Sequence, residues 1–359
     1  MNPPALNRTV DFKLPTGILG AALGPDDDEL IAACMDGIYR ARLSTKASQQ
    51  TGRHSSYVSS AAWIPRLGQY VTAGYDGRLK WHQASDSSEI RSVDLHGFWS
   101  WDMAVSPNQQ MIASVTGQYL AGGYRYEPLP EREPSVKLLD ADSGTVLHAL
   151  PHVPSVQAVC FSNDSRFVAA GNLMGEVRVW DCHSGMLAAS WTTEAFTSWG
   201  VIKSHCFLGG IFAMKFTPDD QHLLLAGMGP MQDPMAGNGR QLWQRWSWSA
   251  KQPQMLDETH PKEAGEGLME TLAIHPSGSL FAMGGRLRGG DWNVALFDLN
   301  SGNRIAILKT GYRVTEALFS SDGKRLILTG TQGQPKPKPD GTSENFGRIE
   351  AYELNQMPA

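Results

Sequence analysis

The chain has 359 residues, of which 41% are hydrophobic and 19% charged, a composition that is typical of a globular protein and excludes a disordered one. Its net charge of -5 gives no general attraction to nucleic acid, and its longest apolar run, residues 30–35, is too short for a membrane-spanning helix. The four cysteines form no CxxC pair, which argues against a disulfide scaffold or a zinc site. Since the first residues show no secretory leader, we expect a cytoplasmic protein that makes no membrane contact.

Short apolar segments with alternating polar residues recur along the chain, separated by turns rich in glycine and proline. Seven of these segments end directly before a polar turn, at Leu23, Trp63, Val105, Phe161, Phe216, Ile274 and Phe319. A second strand ends ten or eleven residues after each of these positions. A third strand then ends, usually at an aromatic residue, at Ala41, Trp81, Leu139, Trp180, Trp246, Phe297 and Tyr352. Repetition in register predicts a repeat protein built from antiparallel strand units.

The repeat resembles the WD40 β-propeller family over essentially the whole chain, and Gly175 to Asp181 is the best match to the family's closing signature. The resemblance implies an all-β fold, a seven-bladed β-propeller of four-stranded antiparallel blades, formed by one domain over residues 1–359. Residues 9–14 alternate like a strand, and too few residues follow Tyr352 for another one. We therefore expect this N-terminal strand to complete blade 7, the alternative being a disordered tail.

The resemblance also implies structural roles for a set of histidine, aspartate and tryptophan residues. In the family, a histidine before the first strand bonds an aspartate in the next turn and orients the tryptophan of the third strand. The matching residues here are His54, Asp76 and Trp81 in blade 2, His96 in blade 3, and His152 and Trp180 in blade 4. Blade 4 departs from the pattern, because Met174 stands where the aspartate is expected.

Insertions between the second and third strands lengthen blades 3, 5, 6 and 7. These loops and the blade-to-blade connections emerge on one face of a propeller, and insertions on one face often mark a binding surface. They are rich in aromatic residues and arginine, which dominate binding hot spots. We expect a protein or peptide partner to bind this surface, and the arginines and lysines of the insertions favour an acidic one. The expected contact residues are Trp99, Trp101, Tyr124, Arg125, Tyr126, Trp199, Arg240, Trp243, Arg286, Arg288 and Trp292. Two alternatives are that the loops bury their own aromatic side chains and that Trp99 or Trp101 fills the central channel.

Catalytic motifs such as GxSxG, HExxH and the P-loop do not occur, so the sequence predicts a non-enzymatic scaffold without cofactor or metal. The acidic run 26–29 indicates a solvated turn, with calcium binding as the alternative. The rival functions are a propeller hydrolase or lyase with its site at the channel mouth, and a binder of an anionic ligand or nucleic acid. The negative net charge argues against nucleic acid.

Overall fold

The computed structural model describes residues 5–118, 130–196, 209–233, 238–263, 265, 267–286, 290–333 and 346–355. Their strands form seven four-stranded antiparallel sheets, the blades of a seven-bladed β-propeller. The predicted fold class is thereby confirmed. Within the described residues, the two helices are single 3-10 turns, Pro65–Leu67 and Glu194–Phe196, and neither could span a membrane.

Strand β1, Ala5–Leu14, precedes the first blade. The strands of blades 1 and 2 are β2 Ile18–Leu23, β3 Glu29–Cys34, β4 Gly37–Arg42, β5 Ser48–Gly52, β6 Val58–Ile64, β7 Gln69–Gly74, β8 Arg78–Gln83 and β9 Glu89–Asp94. Those of blades 3 and 4 are β10 Asp102–Val105, β11 Met111–Val115, β12 Val136–Asp140, β13 Val146–Leu150, β14 Val156–Phe161, β15 Phe167–Asn172, β16 Glu176–Asp181 and β17 Leu187–Thr192. Those of blades 5 to 7 are β18 Gly210–Phe216, β19 His222–Asp233, β20 Asn238–Ser247, β21 Gln254–Glu258, β22 Met269–Ile274, β23 Leu280–Gly285, β24 Val294–Asp298, β25 Arg304–Leu308, β26 Arg313–Phe319, β27 Arg325–Gln332 and β28 Phe346–Asn355.

The chain divides into two compact units. One unit contains blades 1, 2 and 7 with most of blade 6, and the other contains blades 3, 4 and 5. The prediction that residues 1–359 form a single domain stays a prediction.

The hydrophobic core of each unit lies between neighbouring blades. In one unit, a cluster joins blades 3 and 4 and another joins blades 4 and 5. In the other unit, clusters join blades 6 and 7, 7 and 1, and 1 and 2. The second strands are buried on both faces, and they therefore consist largely of small and β-branched residues, as in β3 and β15.

Blade 5 differs from the sequence-based expectation of a loop insertion. Strands β19 and β20 continue past the expected end of the second strand and pair as far as Asp233 and Asn238. The additional residues thus extend a β-hairpin, in which the strands satisfy each other's backbone hydrogen bonds.

The acidic run 26–29 lies in the turn between β2 and β3, and its carboxylates are engaged by neighbouring groups. Asp26 accepts hydrogen bonds from the backbone of its own turn, and Asp28 accepts from Ser44. Asp27 accepts the backbone N–H and the hydroxyl of Ser321 at 2.9 and 2.5 Å. This carboxylate therefore links the turns of blades 1 and 7.

Strand β1 completes blade 7 by pairing antiparallel with β28, from Ala5 opposite Asn355 to Leu14 opposite Gly347. The prediction that an N-terminal strand closes this blade is confirmed, and the strand begins four residues earlier than the expected residue 9.

A fully buried carboxylate, Glu350, fastens β1 to the rest of blade 7. Its Oε1 lies 2.8 Å from the guanidinium of Arg8 on β1 and 2.9 Å from that of Arg348. Its Oε2 accepts the hydroxyls of Tyr352 at 2.7 Å and Tyr312 at 3.3 Å. Burial and the charge of Glu350 raise the pKa of both tyrosines above the ordinary range, so the hydroxyls remain protonated donors. A buried charge needs such a complete set of partners to be tolerated.

We expect Glu350→Gln to lower the free energy of unfolding by about 2 kcal/mol, because the amide removes the buried counter-charge of Arg8 and Arg348 and leaves Asp11 as their remaining carboxylate partner. Urea unfolding of the native chain and the variant measures the difference. Glu353→Gln, at an exposed position on the same strand, is the control and should change stability by less than about 0.5 kcal/mol. Equal losses in the two variants would contradict this role of Glu350.

Candidate functional site

The histidine and aspartate predicted for blade 2 form a buried hydrogen-bonded chain. Nδ1 of His54 lies 2.8 Å from Asp76 Oδ1, and Nε2 lies 3.0 Å from the hydroxyl of Thr72 on β7. Asp76 also accepts the backbone N–H groups of Ser55 and Arg78. Burial disfavours the ionised form of Asp76, but the hydrogen bond and attraction of His54, together with these N–H groups, hold its pKa well below the usual range. The pair therefore fixes the segment that connects blades 1 and 2 to the turn after β7.

The strand register of blade 2 differs by one residue from the sequence alignment. His82, rather than Trp81, occupies the third-strand position that Trp180 holds in blade 4. Nε2 of His82 lies 3.3 Å from the Thr72 hydroxyl, which extends the chain from His54. Because successive residues of a strand point to opposite faces, Trp81 is buried on the other face of β8.

The other two predicted histidines are enclosed within their own blades. Nε2 of His96 lies 2.9 Å from the hydroxyl of Ser114, and Nε2 of His152 donates to a carbonyl of β15 at 3.3 Å. Burial lowers the pKa of each imidazole to about 3, helped by the positive charge of Lys137 near His96 and of Arg178 near His152. Neutral, enclosed imidazoles of this kind support packing rather than proton transfer to a ligand.

A basic residue on the third strand anchors the same connection in blades 2, 3 and 4. Each donates to the backbone carbonyl directly before the blade's histidine: Lys80 to Arg53 at 3.0 Å, Lys137 to Leu95 at 2.5 Å, and Arg178 to Pro151 at 3.0 Å. Each is also paired with a carboxylate, namely Glu89, Glu133 or Glu176. These residues were not predicted from the sequence. The available signal was a basic residue in the third strand, two positions before the position that Trp180 holds in blade 4.

In blade 3, the anchored connection carries three clustered aromatic rings, Phe98, Trp99 and Trp101, which we call the aromatic shelf. The rings of Phe98 and Trp99 stack with centroids 5.0 Å apart, and Trp101 meets Trp99 edge-on at 5.2 Å. The Trp101 indole donates to the Gly117 carbonyl at 2.9 Å, and the hydroxyl of Thr116 donates to the Trp99 carbonyl at 2.7 Å. The shelf thus lies against the first residues of the blade 3 insertion, and 39% of Trp99 remains exposed.

The remaining predicted binding residues are placed differently. Trp243 and Trp292 are buried, and Arg286 is partly buried. Arg240 donates to the Thr259 carbonyl and lies 3.6 Å from Glu258. Five predicted residues lie outside the described residues: Tyr124, Arg125, Tyr126, Trp199 and Arg288. Of the predicted residues, the structure therefore brings Trp99 and Trp101 together.

A second aromatic pair, Tyr57 and Tyr75, was not predicted from the sequence. Tyr57, in the connection into blade 2, lies 5.9 Å from Tyr75 in the turn after β7, and Tyr57 is exposed. The available signal in the sequence was a tyrosine in each of two segments of blade 2, the connection before β6 and the turn after β7. As for metals, the described part of the chain contains no cluster of three or more His, Cys, Asp or Glu side chains that could hold an ion.

The buried histidines predict an acid-sensitive fold. Since the pKa of His152 is about 3 in the fold and about 6.5 in an unfolded chain, the unfolded state binds the proton first as pH falls below 6.5. His152 alone should therefore account for about 2 kcal/mol of stability lost between pH 7.5 and pH 5. Chemical denaturation at the two pH values should show a loss smaller by this amount in His152→Gln. The exposed His183→Gln variant is the control, and equal pH dependence in all three proteins would contradict the prediction.

Comparison with known proteins agrees with this architecture. The family model described as WD domain, G-beta repeat matches residues 144–181, which contain β13 of blade 3 and β14 to β16 of blade 4. The matched repeat is thus offset by one strand from the blade, and the same offset leaves β1 to complete blade 7. No curated protein matches the chain. The repeat match and the seven four-stranded blades together support the resemblance to the WD40-repeat β-propeller family.

Proposed function

We propose that this protein is a non-enzymatic scaffold that binds a protein or peptide partner through the face bearing the insertions of blades 3, 5, 6 and 7. WD40 propellers commonly serve as scaffolds for protein interactions, and the aromatic shelf is the observation that supports this role here. Tryptophan is among the residues most enriched in hot spots, because its large ring buries much apolar area at little entropic cost.

The shelf is also held in place before any partner arrives. The backbone N–H of Gly97, beside Phe98, donates to Glu133 at 2.6 Å, and the same glutamate pairs with Lys137 at 2.7 Å. Since Lys137 also binds the carbonyl of Leu95, both the start and the middle of the connection are fixed. A pre-organised surface loses little conformational entropy on binding, which favours affinity.

The chemistry of the shelf favours an apolar or aromatic segment of the partner. Arg240 is engaged with Thr259 and Glu258 of its own chain, so the proposal for an acidic partner depends on the partly buried Arg286 and on Arg125 and Arg288, which lie outside the described residues. The described histidines with strongly lowered pKa values are buried and hydrogen-bonded to their own blades, which gives no support to the enzyme alternative. A cytoplasmic location remains a prediction.

We expect Trp99→Ala to weaken partner binding about 30-fold, the effect of losing a hot-spot contact of about 2 kcal/mol, while the melting temperature changes little. Quantitative affinity capture with the native chain and the variant measures the loss. Ile307→Ala, which truncates an exposed side chain on β25, is the matched control. Proteins retained by the native chain and the control but lost from Trp99→Ala support the proposal, and identical sets of captured proteins contradict it.

A further inference from the structure

The outermost strands of blades 3 and 4, together with the turn before β17, expose four apolar side chains. Met186 is 70% exposed, and Val146, Leu147 and Leu187 are between 43% and 53% exposed. We call these four residues the rim patch. The two blades are in contact beside these residues, because Nε2 of His148, which follows Leu147, lies 3.2 Å from the carbonyl of His183. The patch therefore runs from the start of β13 to the start of β17.

These two strands lack the charges that normally protect a sheet edge. Neither β13 nor β17 contains Asp, Glu, Lys or Arg. The outermost strands of blades 2, 5, 6 and 7 all contain charged residues, and that of blade 1 is polar, with the sequence SQQTG. Charged residues on edge strands prevent pairing with other chains, so their absence from two neighbouring blades leaves these edges open to pairing.

The open edge of β17 presents backbone groups in a definite pattern. The N–H of Thr193 donates inward to the Gly175 carbonyl at 2.8 Å. Inward and outward backbone groups alternate in an antiparallel strand, so Ser190 and Thr192 direct their N–H and C=O groups away from β16. Within the described residues, no strand pairs with this edge.

The size of the patch indicates what kind of partner fits it. Four partly exposed aliphatic side chains offer a few hundred Å² of apolar surface, whereas a stable dimer buries about 800 Å² on each partner. A short extended peptide needs less side-chain area, because backbone hydrogen bonds to the strand edge supply much of its affinity.

We propose that β17 accepts an extended, uncharged, apolar segment of a partner protein as a fifth strand of blade 4, with the segment's side chains packed against the rim patch. This site is separate from the aromatic shelf and does not depend on it. The protein would then hold two partners, one on the connections of blade 3 and one on the outer edge of blade 4.

A peptide panel tests the backbone pairing directly on the native full-length chain. The probes are fluorescein-labelled, terminally blocked heptapeptides in which threonine alternates with valine, isoleucine or leucine. We expect at least one to bind in fluorescence anisotropy, and its counterpart N-methylated at alternate residues to bind at least tenfold more weakly, because half of its N–H donors are gone. Failure of every peptide to bind, or equal binding of the N-methylated form, would overturn the proposal.

Two proline variants locate the bound strand. Ser190→Pro removes an outward N–H, a change that edge strands tolerate, and should weaken peptide binding at least tenfold. Ile307→Pro places the same change at the matching position of β25 in blade 6 and should leave binding intact. Equal weakening by both variants would contradict the site.

Leu187→Lys is the second variant in case proline disturbs folding, and it should also weaken peptide binding at least tenfold, because it places a charge in the rim patch. Sedimentation velocity tests whether a second copy of this chain, and not a peptide, occupies the edge of β17. If the native chain dimerises and Ser190→Pro is monomeric, a second copy occupies the edge and the peptide proposal is overturned.

Discussion

A four-stranded blade has two apolar faces and can cover neither from within, so every blade of this protein depends on a neighbour. The core clusters reflect this constraint, because five of the described clusters lie between neighbouring blades and contain side chains from both. Strand β1 contributes Leu14 to the core that blades 7 and 1 share, and a buried ionic contact holds this strand in blade 7. Glu350 is fully buried, and its partners Arg8, Arg348, Tyr312 and Tyr352 neutralise its charge and occupy both of its oxygens.

The sequence was sufficient to predict the blades, because hydrophobic periodicity and turn residues are local signals that recur seven times. The N-terminal strand was predictable for the same reason, although its first residues, Ala5 to Arg8, alternate less clearly. The one-residue register of blade 2 was not predictable, since both Trp81 and His82 suit a buried third strand, and only pairing with β7 distinguishes them. Composition likewise could not separate Trp99, which is exposed, from Trp243 and Trp292, which fill the interior. Burial of a large ring depends on tertiary neighbours that a single sequence does not specify.

Buried polar residues of blades 2 to 4 fix the segments that connect successive blades. His54, His96 and His152, with the basic residues Lys80, Lys137 and Arg178, fix the segments that connect one blade to the next. Blades 3 and 4 also expose two apolar features, the aromatic shelf on a connection and the rim patch at the outer strands. Exposed apolar groups on connections that are held by buried hydrogen bonds support the proposed role in recognition.

The pairing of β1 with β28 also has a consequence for synthesis of the protein. Arg8 leaves the ribosome 342 residues before its partner Glu350, which at about 5–20 residues per second corresponds to roughly 17–70 s. During that interval blades 1 to 6 can form in order, while β1 lacks its partner strand β28 and Arg8 lacks the carboxylate of Glu350. Chaperones that shield nascent strands have their longest opportunity to act on this segment, and translation speed sets its duration.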